Sequence, residues 1–260
     1  MTRDIEPIAS VSDLVVEFRQ GTRHTQALRG ISLDLFSGET LGIVGESGSG
    51  KTSFGRALLG LLKPTAGSVT FQGSAVTGRG SARRLRGRLQ VVLQNPDWSL
   101  DPTHRVWRSV SEPLVISQHM GRTERKRIAA GMLVRVGLRP EIAHRHPHEL
   151  SGGQRQRVAI ARAMITNPQL IVFDESVTAL DPSVQTQVLN LIRDLQEERQ
   201  FAAVFISHDL AAVRYVSHRI AVFKNGELVE LAQSSVFYGI PDHPYSRQLV
   251  ATLPKPEDGA

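Results

Sequence analysis

Cysteine is absent from the 260-residue chain. Structural disulfides, cysteine-ligated zinc and iron–sulfur clusters are therefore excluded, which fits a reducing cytoplasm. Long apolar runs are absent as well. No stretch approaches the roughly 20 residues that a helix needs to cross a bilayer, so the chain is not expected to span one by itself. Residues 1–7 are polar and mixed in charge, without the apolar core or cleavage site of a signal peptide. Aromatic residues are scarce, at 5%. They do not interleave with the basic segment in which Arg79, Arg83, Arg84, Arg86 and Arg88 crowd together without an acid. Base stacking thus has no support there, and a surface near lipid headgroups or a partner contact fits better. Over the whole chain 31 basic residues face 25 acidic ones, leaving +6. Nucleic acid, an anionic membrane surface, or a solvated basic face plus a phosphate site each accommodates that excess.

What is present begins with Gly45-Glu46-Ser47-Gly48-Ser49-Gly50-Lys51-Thr52. This stretch fits G-x-x-x-x-G-K-[ST], the loop that wraps the phosphates of a nucleoside triphosphate. Leu41–Val44 before it reads as a buried parallel strand. The residues after it, to about Leu62, read as a helix with Phe54, Ala57, Leu58 and Leu61 on one apolar face. Glycines let the backbone curl so that its N–H groups point at phosphate oxygens, and the helix start adds free N–H groups and a positive dipole end. Ser53 sits in that first turn. Lys51 is expected to reach the β- and γ-phosphates, and the Thr52 hydroxyl to hold Mg²⁺.

Around this motif, Leu14–Phe18 and Ile31–Leu35 read as strands joined by a polar connection over 19–30. Val69–Gln72 and Leu89–Leu93 read as further short strands, the latter ending at Gln94. From Pro102 to Leu150 the spacing turns helical (Val106, Val110, Leu114; Ile128, Met132, Val136). Ser151-Gly152-Gly153 opens a helix to Ile165. Leu170–Phe173 and Ala202–Ile206 are continuous apolar strands, with a helix from about Val184 to Glu198 between them. Asn225-Gly226 marks a hairpin, and from Pro241 the tail is polar and rich in proline.

A phosphate loop needs carboxylates on a neighbouring strand end, and Asp174-Glu175 follow Leu170–Phe173. Asp174 can hold Mg²⁺, and Glu175 can polarise a water that attacks the γ-phosphate. Ser207-His208-Asp209 closes the next strand, where a histidine can contact that phosphate and the water.

Leu150-Ser151-Gly152-Gly153-Gln154 matches the signature of ABC ATPases. The order phosphate loop, Gln94, signature, Asp174-Glu175, Ala179-Leu180-Asp181, His208 also resembles that family, over about Leu14 to Leu231. The resemblance implies an α/β P-loop NTPase of the ABC-ATPase fold. That fold has a mixed sheet core with an antiparallel β part and an inserted α-helical subdomain. It implies one nucleotide-binding domain over 1–260. Its core is 10–100 with 166–232, its helical and signature subdomain 101–165, and its C-terminal tail 233–260. It further implies ATP and Mg²⁺ as ligands and a head-to-tail dimer, with self or a paralogue, that sandwiches each ATP between one phosphate loop and the partner's signature. Ser151, Gly153 and Gln154 would meet that ATP. Asp181 matches the loop touching the partner, and Gln94 the switch that senses Mg²⁺ and the γ-phosphate. Phe18 is the best match for the aromatic stacked on adenine, with His24 second; a lone Phe at a strand end otherwise belongs to the core. One departure is Ser176, where the family usually has Pro after the catalytic Glu; slower or retuned hydrolysis at most is expected, and with every chemical residue present the site is expected to be active.

The run His243-Pro244-Tyr245-Ser246-Arg247-Gln248-Leu249 resembles the C-terminus of oligopeptide, dipeptide and nickel importer ATPases. So do His148-Glu149, Gln154-Arg155-Gln156-Arg157 and Val184–Leu189. Membership of that group implies a peripheral subunit on the cytoplasmic face of the cell membrane, with two permease subunits and, indirectly, an extracytoplasmic solute-binding protein. The alternatives are another ABC transporter or phosphonate-utilisation system, or a soluble ABC ATPase acting on nucleic acid. The latter is disfavoured because the chain has one cassette, no zinc motif and no aromatic-rich basic patch. Residues 95–102 are an expected contact for a permease helix. His144, His146 and His148 would share one side if extended, but Arg145, Pro147 and the adjoining signature favour a loop or interface role over a metal site.

Overall fold

The computed structural model describes residues 6–21, 23–118 and 120–253; the polar residues 1–5 and the end of the tail, 254–260, lie outside the described residues. Strands β1 (Ala9–Gln20) and β2 (Arg23–Leu35) pair antiparallel, with Leu14 opposite Ile31 and Val16 opposite Leu28. The polar connection expected over 19–30 is therefore mostly strand. Its outer register, Glu17–Gln26, Phe18–Thr25 and Arg19–His24, is exposed and has no apolar alternation, which is why the pattern hides it.

Strand β3 (Thr40–Val44) leads through the phosphate-type loop into α1 (Lys51–Leu58). Phe54, Ala57 and Leu58 are buried as expected, but Leu61 is 69% exposed. The helix stops early because Gly60 takes φ +70°. The Gly60 and Leu61 N–H groups then bond back to Ala57 and Arg56 carbonyls, a left-handed C-terminal closure. Next come β4 (Ala66–Phe71), β5 (Ser74–Ala75), the short α2 (Ser81–Leu85) and β6 (Leu89–Val92). Three longer helices follow: α3 (Val106–Gln118), α4 (Arg122–Arg135) and α5 (Gly152–Met164). The chain then alternates β7 (Leu170–Asp174), α6 (Pro182–Arg199), β8 (Ala202–Ile206), α7 (Leu210–Val216) and β9 (Arg219–Lys224). It ends in β10 (Glu227–Gln233), α8 (Ser234–Gly239) and α9 (Pro244–Ala251). The polar tail from Pro241 thus holds a helix, α9.

One sheet has the order β2-β1-β4-β5, antiparallel; the other has the order β10-β9-β3-β8-β7-β6, parallel except for the β9–β10 hairpin. Asn225 and Gly226 turn that hairpin at φ +50° and +83°, as expected for paired left-handed turn residues. The α/β class and the mixed-sheet core with an antiparallel part and inserted helices are as the sequence led us to expect.

Successive residues of β7 and β8 feed opposite cores. Ile171, Phe173, Ala203 and Phe205 pack with α3–α7. Leu170, Val172, Ala202, Val204 and Ile206 pack with α1 and the antiparallel sheet. A strand buried on both faces must be apolar at every position, which explains the continuous runs in the sequence. The helices of 101–165 share the first of these cores with the sheet. Phe54 of α1 meets Phe223 of β9 edge-on, with ring centroids 5.4 Å apart, and so locks the helix after the loop onto the sheet.

Candidate active site

Four parallel strands end side by side in the order β3, β8, β7, β6. The residues just beyond them are the loop 45–52, His208, Asp174-Glu175 and Gln94. Ligands of open α/β sheets sit outside such carboxyl ends, so strand order alone gathers residues scattered over more than a hundred positions of sequence.

Ala27, Ser47, Gly48, Gly50, Lys51–Ser53 and Glu175 line a cleft of about 180 Å³. Lys51 donates from Nζ to the Gly45 carbonyl (2.8 Å) and the Glu46 carbonyl (2.7 Å). Burial pushes its ammonium below the usual lysine range, opposed by Glu175, Asp174 and Glu46. Gly50 caps α1 at φ +103° with no side-chain cap, and a Cβ there would lie 2.5 Å from the Ala27 carbonyl oxygen. The first intrahelical bond runs from Phe54 N–H to the Gly50 carbonyl. The amides of Lys51, Thr52 and Ser53 precede it, and no acid occupies the first turn. Such an end suits an anion.

The Thr52 hydroxyl donates to Asp174 Oδ1 at 3.2 Å. Burial pushes the Asp174 carboxyl above the usual carboxylate range, with the Thr52 bond opposing. A hydroxyl beside a carboxylate is a hard-oxygen donor set of the kind Mg²⁺ takes. Glu175 stands at φ +50°, a conformation that costs a non-glycine residue energy. Its N–H donates to the Ile206 carbonyl (2.9 Å), and its Oε1 lies 3.7 Å from His208 Nδ1. The following Ser176 is buried, and its hydroxyl finds no partner among the described residues.

Ser151, Gly153, Gln154 and Asp181 do not line this cleft. Ser151 caps α5, and Asp181 sits at the N-cap of α6. Gln94 lines a different, larger cavity of about 460 Å³, with Trp98, Gly152, Arg155, Ser176 and Ala179. An Arg155–Asp97 ion pair (3.2 Å) ties α5 to the segment after Gln94 there. Phe18 is not a core residue: it is 45% exposed on β1, and His24 on β2 is also exposed.

The arginine-rich segment is less of a free cationic surface than its sequence implies. Arg88 bonds Gln169 (2.8 Å) and covers the Phe71 ring, and Arg84 bonds the Ala75 carbonyl. Residues 140–149 form two 3-10 turns, so the three histidines do not alternate along an extended strand; His146 and His148 stack on each other. Among the described residues no trio of metal-ligating side chains comes together, and no helix is long and apolar enough to cross a membrane.

Two contributors to the site escaped the sequence pattern. Ala27 brings β2 against the loop. The Tyr245 hydroxyl accepts the Glu46 N–H from 199 positions away. Neither carries a local signal, since each contact is made by tertiary packing.

Comparison with known proteins places this geometry among others. A sequence profile described as ABC transporter matches residues 28–178. The glutathione import ATP-binding protein GsiA of Pectobacterium atrosepticum is 46% identical over 258 residues, covering 96% of this chain and 41% of that protein. The chain thus spans about two-fifths of the length of the glutathione-import relatives it matches. A Brucella abortus protein provisionally named a peptide import ATP-binding protein is 44% identical over 264 residues, covering 98% of this chain and 79% of that one. Among solved structures, the ATP-binding cassette MJ0796, a dimer in a post-hydrolysis state with ADP and Pi, superposes with a TM-score of 0.79. It is 29% identical, with 87% of this chain and 98% of that one covered. CbiO1 of Clostridium perfringens, part of the transporter complex cbiONQ, gives a TM-score of 0.80 at 27% identity, with 96% of each chain covered.

Proposed function

The chain belongs to the ABC transporter family, and from that premise we propose that it binds and hydrolyses ATP to power an importer. The names of the relatives, for glutathione and peptide import, support a small-peptide cargo over nickel. The observation that carries the proposal is the row of strand ends holding the phosphate loop, Asp174-Glu175 and His208.

The triphosphate lies along residues 45–53, where the loop carbonyls of Gly45 and Glu46 hold two hydrogens of the Lys51 ammonium, its third turns to a phosphate oxygen, and the α1 amides complete the seat. Thr52 and Asp174, with Gln94 from just beyond β6, would hold Mg²⁺, which would supply neutralisation of charge developing on the phosphates. Glu175 orients the attacking water and takes its proton, and His208 contacts the γ-phosphate beside it. Phe18 stands exposed for the adenine. Ser151, Gly153, Gln154 and Asp181 lie away from the chain's own cleft, and they act on the ATP of a second copy or a paralogue in a head-to-tail dimer. ATP closes that dimer and hydrolysis reopens it, because the two states differ in affinity for the nucleotide. Two permease subunits receive the motion on the cytoplasmic face of the membrane, and an extracytoplasmic binding protein delivers cargo to them.

Glu175→Gln tests this reading. It should preserve ATP binding, lower turnover by about 10²- to 10⁴-fold and accumulate an ATP-dependent dimer on size exclusion. Parental turnover in that variant removes Glu175 from the role, and a lasting monomer with ATP bound removes the dimer.

A further inference from the structure

The tail run from His243 to Arg247 has a structural account of its own. Glu230 of β10 accepts the Asp242 and His243 N–H groups (3.0 and 3.1 Å). His243 Nδ1 caps α9 by accepting the Tyr245 N–H (3.1 Å), and Pro244 fills the first helical position. Arg247 clasps the Pro241 and Asp242 carbonyls. These bonds fix one side chain above all: Tyr245, 4% exposed, with the Lys224 ammonium 4.6 Å from its ring centroid.

The Tyr245 hydroxyl accepts the Glu46 N–H at 3.1 Å. That N–H and the Gly45 carbonyl are the two ends of one peptide unit, and the Gly45 carbonyl accepts from Lys51 Nζ at 2.8 Å. Phenol, peptide and ammonium therefore form a single line of hydrogen bonds, in which each bond polarises the next. We propose that Tyr245 is a positioning residue for the triphosphate: by holding the Gly45–Glu46 peptide from outside, it aims the carbonyl that steers Lys51 toward the phosphates. The inference rests on the phosphate-loop reading of residues 45–52. Burial keeps the phenol above its ordinary pKa, so it stays a neutral hydroxyl at working pH. The C-terminal helix thereby becomes part of the nucleotide site, although it is nearly 200 residues distant in sequence.

Tyr245→Phe keeps the ring and removes the hydroxyl, both as acceptor of the Glu46 N–H and as donor toward the Glu46 carboxylate. In the full chain, ATP affinity by calorimetry should weaken about three- to tenfold, the range for loss of one intramolecular hydrogen bond. In the assembled transporter the KM for ATP should rise by the same factor with kcat within twofold, and the Glu46 amide resonance should shift. The melting temperature should fall by no more than about 3 °C. ATP affinity within 1.5-fold of the parent overturns the proposal, and a larger melting loss with unchanged affinity assigns Tyr245 to packing alone. Lys51→Ala, measured alongside, separates the two layers. Unchanged affinity there defeats the phosphate-loop reading itself, whereas weakened Lys51→Ala beside parental Tyr245→Phe defeats only this inference.

Discussion

Two helices of this chain begin with a glycine-rich turn after a loop, and they begin in opposite ways. At α1, Gly45, Gly48 and Gly50 all take positive φ, and nothing caps the helix from a side chain. At α5, neither Gly152 nor Gly153 takes positive φ, and the end closes on itself. The Ser151 hydroxyl accepts the Gln154 N–H (3.3 Å), and Gln154 Oε1 accepts the Ser151 N–H (3.0 Å), a reciprocal capping box. One end leaves its first three amides for a ligand; the other caps one of its own, that of Gln154. Glycine accordingly does different work in the two motifs. At Gly50 it supplies a backbone conformation, while at Gly153 it supplies room, since a Cβ there would lie 2.4 Å from Val184 Cγ1 on α6.

The largest break in this comparison is to empty the open end of its cation. Lys51→Ala removes the ammonium that now bridges two loop carbonyls. With a charge-assisted bond to phosphate lost, ATP affinity should fall about ten- to a hundredfold. Calorimetric titration of the purified chain decides it, and equal affinity would take the phosphates away from this loop altogether.

A smaller effect separates conformation from room. Gly50→Ala forces a side chain into φ +103° and against the Ala27 carbonyl. A strained position of this kind costs about 1–3 kcal/mol, seen as a melting loss of roughly 2–10 °C together with weaker ATP binding. Gly153→Ala should cost a similar 1–3 kcal/mol by overpacking, but here a second change, Val184→Ala, should restore most of it. Gly50→Ala has backbone as its obstacle, and trimming a neighbouring side chain should leave its loss in place. Were Val184→Ala to rescue nothing, Gly153 would be conformational after all, and the contrast between the two turns would dissolve.

The same contrast explains what the sequence disclosed. Strands β3, β7 and β8 are buried on both faces, so their residues 41–44, 170–173 and 202–206 are uninterrupted apolar runs, and the candidate site residues follow directly beyond each one. Loop, Asp174, Glu175 and His208 were legible because position at a strand end is local information. The outer part of β2 was not legible, since an exposed ribbon of Gln26, Thr25 and His24 bears no apolar period. The end of α1 was misjudged because Leu61 continues the helical spacing after Gly60 has already stopped the helix. Tyr245 sits in a polar tail, and nothing near it in sequence announces the contact with Glu46. The signature was legible as a motif, but that Ser151 and Asp181 do not line the chain's own cleft is a property of the packed molecule.

The smallest expected effect tests whether the closed end is closed by its own side chains. Ser151→Ala deletes the acceptor for the Gln154 N–H and leaves α5 capped by water. Loss of an N-cap hydroxyl costs about 0.5–2 kcal/mol, whereas glycine at the same position costs only a few tenths. Ser151→Ala should therefore lower the melting temperature by roughly 2–4 °C, and Ser151→Gly should barely move it. The order of these two variants matters more than either size. If the alanine and glycine variants melt together at the parental temperature, the capping box adds nothing measurable to α5. The Gln154 amide would then be as available as those of α1, and the two turns would no longer differ in what they offer a ligand.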